Sequence, residues 1–306
     1  MSILRSDSRT EADVRSLTMR MSILSRSDGS GQFSFGDLKA LGAVTGPAEV
    51  RIRDEKPTEA SLEVNVVPVC GLPGPATKSL AHSIKLFFTP LILLNKYPRS
   101  LIQINLQTLS KPTDRWTNGF STASLEQSPV PLFDETQSVT EKAALINAAS
   151  LALLDAGVGM RGCAFAVGVA IIPASAARSN HSDQALNSDQ IVLDPNPTEE
   201  SFAKSLHLVG FHFGHGFNTQ TSSGDSIGKL ALCESNGTFS YDQLQTVVKF
   251  SSLATQQILA FVRQSCETVY QQEDDSNTVS EIVGQPSSTA NTAAENRKKK
   301  KSKKNK

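Results

Sequence analysis

Residues 24–50 read Leu24-Ser-Arg-Ser-Asp-Gly-Ser-Gly-Gln-Phe-Ser-Phe-Gly-Asp-Leu-Lys39-Ala-Leu-Gly-Ala-Val44-Thr-Gly-Pro-Ala-Glu-Val50. Ser27-Asp28-Gly29-Ser30-Gly31 is turn chemistry, because Gly accepts positive φ and Asp and Ser bond back to their own backbone. Gln32–Phe35 and Lys39–Val44 then read as the arms of a hairpin, with Gly36-Asp37 near its turn. Ala48–Arg53 alternates, with Val50 and Ile52 to one side and Glu49, Arg51 and Arg53 to the other. Leu62–Val69 alternates too and ends at Cys70-Gly71-Leu72-Pro73-Gly74-Pro75. Short turns can join only antiparallel strands, so this opening excludes a sheet that is mostly parallel.

Downstream the period changes. Leu80, Ile84, Phe87, Phe88, Leu91 and Leu94 recur at three- and four-residue steps and predict a helix, kinked or bounded by Pro90. Leu101–Leu109 reads as a mostly buried strand, Glu141–Ala156 as an Ala- and Leu-rich helix ended by Gly157, and Cys163–Ile172 as a central strand. Strands are expected at Ile191–Leu193, Ser205–Phe213 and Lys229–Cys233, the last followed by an Asn236-Gly237 turn, and the longest helix at Asp242–Val269. Residues 1–22 read as a polar extension, 23–273 as the folded domain, and 111–138 and 174–189 as surface insertions. Residues 274–306 bury too little apolar surface to offset the entropy of ordering and are expected to be disordered. The element order gives a mixed α/β (α+β) domain.

The chain has 306 residues, with 30 Lys+Arg and 30 Asp+Glu. Eight of the basic residues lie in Arg297–Lys306, so the neutral sum is an acidic chain with a basic tail. That argues against a globally basic nucleic-acid binder and leaves room for a local basic groove. Four separated cysteines, Cys70, Cys163, Cys233 and Cys266, form no C-x-x-C pair and suit a reducing compartment. The polar start and the lack of a long apolar run point to a soluble intracellular protein.

Several motifs invite chemistry. Gly157-Val-Gly159-Met-Arg-Gly162 matches G-x-G-x-x-G, but it follows a helix and precedes a strand, the reverse of a dinucleotide site; a helix C-cap is expected. On an extended segment His207 and His215 share one face and His212 takes the other, so partly exposed strand histidines are expected rather than a metal set. Ser201-Phe-Ala-Lys204 matches S-x-x-K without its companion motifs. Asp194, Glu199 and Glu200 form an acidic cluster, open to reading as a solvated loop or as a metal or general-acid site. The Lys-rich tail fits phosphate-backbone binding, a nuclear address or a solubilising role.

Taken together, Leu24–Lys39, Ala43–Val50, Ala60–Val64, Gly71–Gly74, Tyr97–Ser100, Leu145–Val158, Met160-Arg161 and Val192–Pro195 resemble RNase PH-like proteins in order and spacing. The Gly-Leu-Pro-Gly and Val-x-Met-Arg segments resemble the ring subunits of the eukaryotic RNA exosome. The resemblance covers about residues 22–270 apart from the insertions. It implies a ribosomal protein S5 domain 2-like fold, with mixed and antiparallel sheets packed against helices. It also implies neighbours: other RNase PH-like ring subunits, RNA-binding cap subunits and RNA, in the nucleus, nucleolus and cytoplasm.

The resemblance implies site positions as well. Active members hold phosphate through a Gly-Thr-Arg segment before the central helix, where this chain has Thr140-Glu141-Lys142. Lys keeps the charge and loses the bidentate fork. Their two acidic residues six apart fall at Glu200 and Leu206, and a leucine neither transfers a proton nor holds Mg²⁺. The expected role is therefore a non-catalytic ring subunit without metal or cofactor, supporting 3′→5′ RNA processing and turnover. An active phosphorolytic 3′→5′ exoribonuclease is the alternative. Arg51, Arg53, Lys85, Arg99 and Lys142 are the expected phosphate or RNA contacts.

Overall fold

The hairpin of the opening stretch is β2 (Gly29–Phe35) and β3 (Leu38–Glu49), preceded by β1 (Leu17–Met21). Phe35 pairs with Leu38 across Gly36-Asp37, and Gly36 takes φ +57°, a conformation a Cβ would strain. The computed structural model describes residues 5, 9–69, 72–111, 138–173, 178–179, 182–185, 189–214, 219–220, 226–273 and 282–284. Most of both insertions, most of the tail, Cys70 and His215 lie outside these.

β4 (Ser61–Val67), α1 (Pro75–Phe88) and β5 (Ser100–Ser110) form a crossover, and β4 runs parallel to β5. Then come α2 (Val139–Asp155), β6 (Gly162–Ile172), the short pair β7 (Arg178–Ser179) and β8 (Ser182–Ala185), β9 (Gln190–Leu193), α3 (Pro197–Phe202) and β10 (Ser205–Gly214). A second short pair, β11 (Thr219–Gln220) and β12 (Ser226–Ile227), leads to β13 (Lys229–Gly237), α4 (Tyr241–Glu273) and β14 (Ile282–Gly284). Two main sheets result, one in the order β14-β1-β2-β3-β5-β4 and one in the order β13-β10-β6-β9.

α2 lies between them. It packs on β2 and β3 from one side and on β6 from the other, which is why its residues are apolar or small nearly all round. The helix backbone comes so close that a Cβ at Gly42 would sit 2.7 Å from the Ala148 carbonyl oxygen and one at Gly31 2.8 Å from the Ala152 nitrogen. The glycines of the opening stretch thus seat the central helix. α4 packs on the second sheet, burying Val247, Ala254, Ile258, Leu259 and Val262.

Several expectations change. Residues 17–21 are a core strand, since Leu17, Met19 and Met21 alternate inward beneath the polar composition of the extension. Ile52 does not share a buried face with Val50: β3 ends at Glu49, the chain turns into a short 3-10 helix at Ile52–Asp54, and Ile52 is 92% exposed. Of the two outcomes expected at Pro90, a kink or a boundary, the boundary holds: α1 stops at Phe88, and Leu94, expected on its stripe, falls in a separate 3-10 turn. Ile282–Gly284, expected in the disordered tail, pairs with β1 as β14. Asn236 and Gly237 also belong to the end of β13.

Candidate functional site

α2 begins at Ser138, whose hydroxyl caps the helix by accepting from the Glu141 N–H at 3.0 Å. The peptide dipoles make this end partially positive, a natural place for an anion. A cavity of about 800 Å³ opens in front of it. Val139, Thr140 and Lys142 of α2 form its floor, Glu200 and Ser201 of α3 one wall, Leu206 and Leu208 of β10 the back. Glu234 of β13, Arg15 and Lys111 complete the polar lining.

Each cation in that lining has a carboxylate partner. Arg15 contacts Asp194 at 2.6 Å, Lys111 contacts Glu141 at 2.9 Å, and the Lys142 ammonium faces Glu234 at 3.9 Å. Glu200 stands in addition to these three pairs. Its Oε1 lies 3.4 Å from the Thr140 backbone nitrogen and 3.5 Å from the Thr140 hydroxyl. Burial pushes its pKa up to about 7; the N–H groups of Thr140 and Val139 and the charges of Arg15 and Lys111 pull the other way. The anion position at the helix end is therefore faced by the protein's own carboxyl.

The sequence-derived positions divide. Lys142, Glu200 and Leu206 meet in the cavity. Glu141 does not: it is turned into the interior, where the Thr108 hydroxyl donates to it at 2.7 Å and Lys111 neutralises it. Arg51, Arg53 and Arg99 lie at the other end of the sheet, roughly 30 Å away along β5 at the usual strand rise. Arg53 and Arg99 there approach Asp54 and Glu55 at 3.6 and 3.3 Å. Lys85 is on the exposed side of α1. Arg15 and Lys111 were not read from the sequence as site residues.

The acidic cluster also separates. Asp194 is fully buried with φ +48° and is held by Arg9 and Arg15, and Glu199 receives the Arg5 guanidinium at 2.9 Å through both oxygens. These two carboxylates are neither solvated nor aimed at the cavity. His207 and His212 are buried rather than partly exposed: His207 bonds Ser205 and Ser235, and His212 bonds the Phe87 carbonyl. Burial lowers the pKa of both. Gly157, at φ +63°, follows the α2 C-cap at Ala156, as the reversed motif order requires.

The family model for RNase PH, described as the 3′ exoribonuclease family, domain 1, matches residues 13–159, from the N-terminal segment through α2. Residues 13–159 are thus similar to that family's first domain. The exosome complex component RRP46 of Saccharomyces cerevisiae is 29% identical over 248 residues, covering 81% of this chain and 94% of the relative. The exosome complex component rrp46 of Schizosaccharomyces pombe is 36% identical over 142 residues, 46% of this chain and 52% of the relative. The crystal structure of rice (Oryza sativa) Rrp46 superposes with a TM-score of 0.66 at 21% identity, over 86% of this chain and 100% of that one, which shows the shared fold. The family match ends just past α2, so α3, β10 and β13 lie beyond it.

Proposed function

We propose that this chain is a non-catalytic subunit of an RNA exosome ring, supporting 3′→5′ RNA processing and degradation by completing the ring and lining part of the RNA path. The observation that carries the catalytic half is the charge pairing of the cavity: Arg15, Lys111 and Lys142 each face a carboxylate, and Glu200 adds one more. Phosphorolysis brings inorganic phosphate against an RNA phosphodiester, two anions at once, and depends on cations arranged for that charge. A cavity whose cations are already matched supplies little of it, and Leu206 offers no second acid. The names of the yeast relatives support the ring half.

Arg51, Arg53 and Arg99 are the proposed backbone contacts for RNA, with Lys85 and Lys142 as weaker contributors; such contacts lose affinity steeply with salt. Ring neighbours are other RNase PH-like subunits, with RNA-binding cap subunits above them. The Lys-rich tail supports a nuclear and nucleolar address beside a cytoplasmic one.

One observation favours a second reading. A carboxyl whose pKa is pushed up to about 7 beside a cavity lysine is suited to general-acid work, as an active phosphorolytic 3′→5′ exoribonuclease would use it. Purified chain, given single-stranded RNA with and without inorganic phosphate, separates the two. No phosphate-dependent release of nucleoside diphosphates is expected. Robust release that disappears in Glu200→Ala overturns the non-catalytic reading, and failure to recover ring subunits with the tagged chain overturns the assembly half.

A further inference from the structure

The two edges of the four-stranded sheet are treated differently by the chain. At one edge β9 is only four residues long, and the N-terminal segment runs over it, the Leu193 N–H donating to the Glu11 carbonyl at 3.0 Å. At the other edge β13 is nine residues long and none of them is buried. Its inner side pairs with β10, and among the described residues no strand pairs with its outer side.

A bare edge is a row of backbone donors and acceptors in strand spacing, and proteins usually blunt one with charge, proline or a strong bulge. β13 carries little of this. It has no proline, Lys229 stands at its first position, Glu234 is engaged with Lys142, and the register irregularity lies near the start at Gly210/Phe211. Between the two charges run Leu230, Ala231, Leu232 and Cys233, with Leu230 41% exposed. Beyond the far end the chain adds exposed aromatics: Phe239, Tyr241 at 72%, and Phe202 at 64%. Phe202 is brought to the same end because the Thr238 N–H donates to the Lys204 carbonyl at 3.3 Å.

We propose that the outer edge of β13 accepts a strand from a neighbouring, different protein subunit, with Phe202, Phe239 and Tyr241 anchoring the aromatic end. This rests on the ring reading above and names the surface that one neighbour uses. The occupant follows from the chemistry: only another extended backbone satisfies such an edge in register, and exposed aromatics are the side chains that anchor protein contacts. Asp242, in the first turn of α4 at that end, disfavours an RNA backbone and fits a partner with a neutral or basic rim. A second copy of this chain fits less well. Antiparallel pairing of β13 with itself would set each aromatic end beside a Lys229 end and leave both aromatic clusters uncovered.

The test compares hydrogen exchange of the full chain alone and in its purified multi-subunit assembly. The outward amides of residues 229–237 should exchange at least tenfold more slowly in the assembly. The variant Leu230→Lys/Tyr241→Asp, which alters only exposed side chains, should keep the circular dichroism and unfolding midpoint of the parent and lose one neighbour from the co-purified set. Unchanged exchange in an intact assembly, or full recovery of neighbours by the variant, overturns the proposal and leaves the ring reading standing. A chain that recovers no neighbours overturns both. A homodimer of the isolated chain with the same amides protected overturns the choice of occupant.

Discussion

The Glu200 carboxylate lies 3.4 Å from the Thr140 backbone nitrogen, across the opening of the cavity at the head of α2. A carboxyl in that place has two opposed neighbourhoods. The helix end, Arg15 and Lys111 favour its charge, and burial beside Leu206 and Leu208 disfavours it more.

The net effect predicts a pH dependence of stability. The folded-state pKa, about 7, stands above the ordinary glutamate value of 4.5, so the folded form binds more protons between those values. Stability contributed by the protonated carboxyl is complete below pH 4.5 and is lost as pH rises through 7. Glu200→Gln, whose carbonyl can still accept from Thr140, should match the parent at pH 4 and exceed it at pH 8 by roughly 2–3 kcal/mol. Urea unfolding at both pH values measures this, and equal differences at both would remove Glu200 as the source.

His212 predicts the opposite slope. Its pKa is lowered, chiefly by burial with help from the nearby Lys229, against the hydrogen bond to the Phe87 carbonyl. A buried neutral histidine gives full stability above pH 6.5 and loses it as pH falls, because the unfolded chain takes the proton first. His212→Gln should therefore flatten part of the decline between pH 6.5 and 5.5 in the same unfolding assay. His207, also lowered by burial, shares the sign.

Arg5 is 2% exposed and makes a bidentate pair with Glu199 while donating to the Asp194 carbonyl at 2.9 Å. Removing one partner leaves the other charge poorly solvated, so Arg5→Ala should cost about 3 kcal/mol. The double variant Arg5→Ala/Glu199→Gln should cost less than Arg5→Ala alone. A double-mutant cycle on unfolding free energies measures the coupling.

Gly42→Ala should lower stability by roughly 1–3 kcal/mol or more. The added methyl would meet the Ala148 carbonyl oxygen at 2.7 Å, and a helix backbone seated between two sheets has nowhere to move. Gly74→Ala, with nothing within 4 Å of the new methyl, is the matched control. Thermal unfolding of the two side by side should show a clear drop only for Gly42→Ala.

The strands flanking Gly36-Asp37 and the run Cys163–Ile172 were legible because turn residues and unbroken apolar runs are local signals. β1 was not, since Leu17, Met19 and Met21 alternate among Thr18, Arg20 and a preceding stretch dense in Arg and Ser. Ile52 shows the converse: its alternation with Val50 was real in sequence, but the strand that would have buried it ends three residues earlier. At the site, Lys142, Glu200 and Leu206 were reached from the sequence through the positions that the family resemblance implied. Arg15 and Lys111 could not, because only the tertiary fold carries the N-terminal segment and the end of β5 to the head of α2. The inward turn of Glu141 was hidden for the same reason: Thr108 and Lys111, more than 29 residues earlier, decide it.

Arg5 and Glu199 are 194 residues apart, and Arg9 and Arg15 wait for Asp194 across nearly the same interval. On a ribosome adding about 5–20 residues per second, the first arginines emerge roughly 10–40 s before the carboxylates they will hold. During that time Arg5, Arg9 and Arg15 lack the carboxylates that will hold them in the fold. The α3 region is fastened by residues synthesised well before it, so α3 and the cavity wall it carries are locked only after Asp194 and Glu199 have emerged.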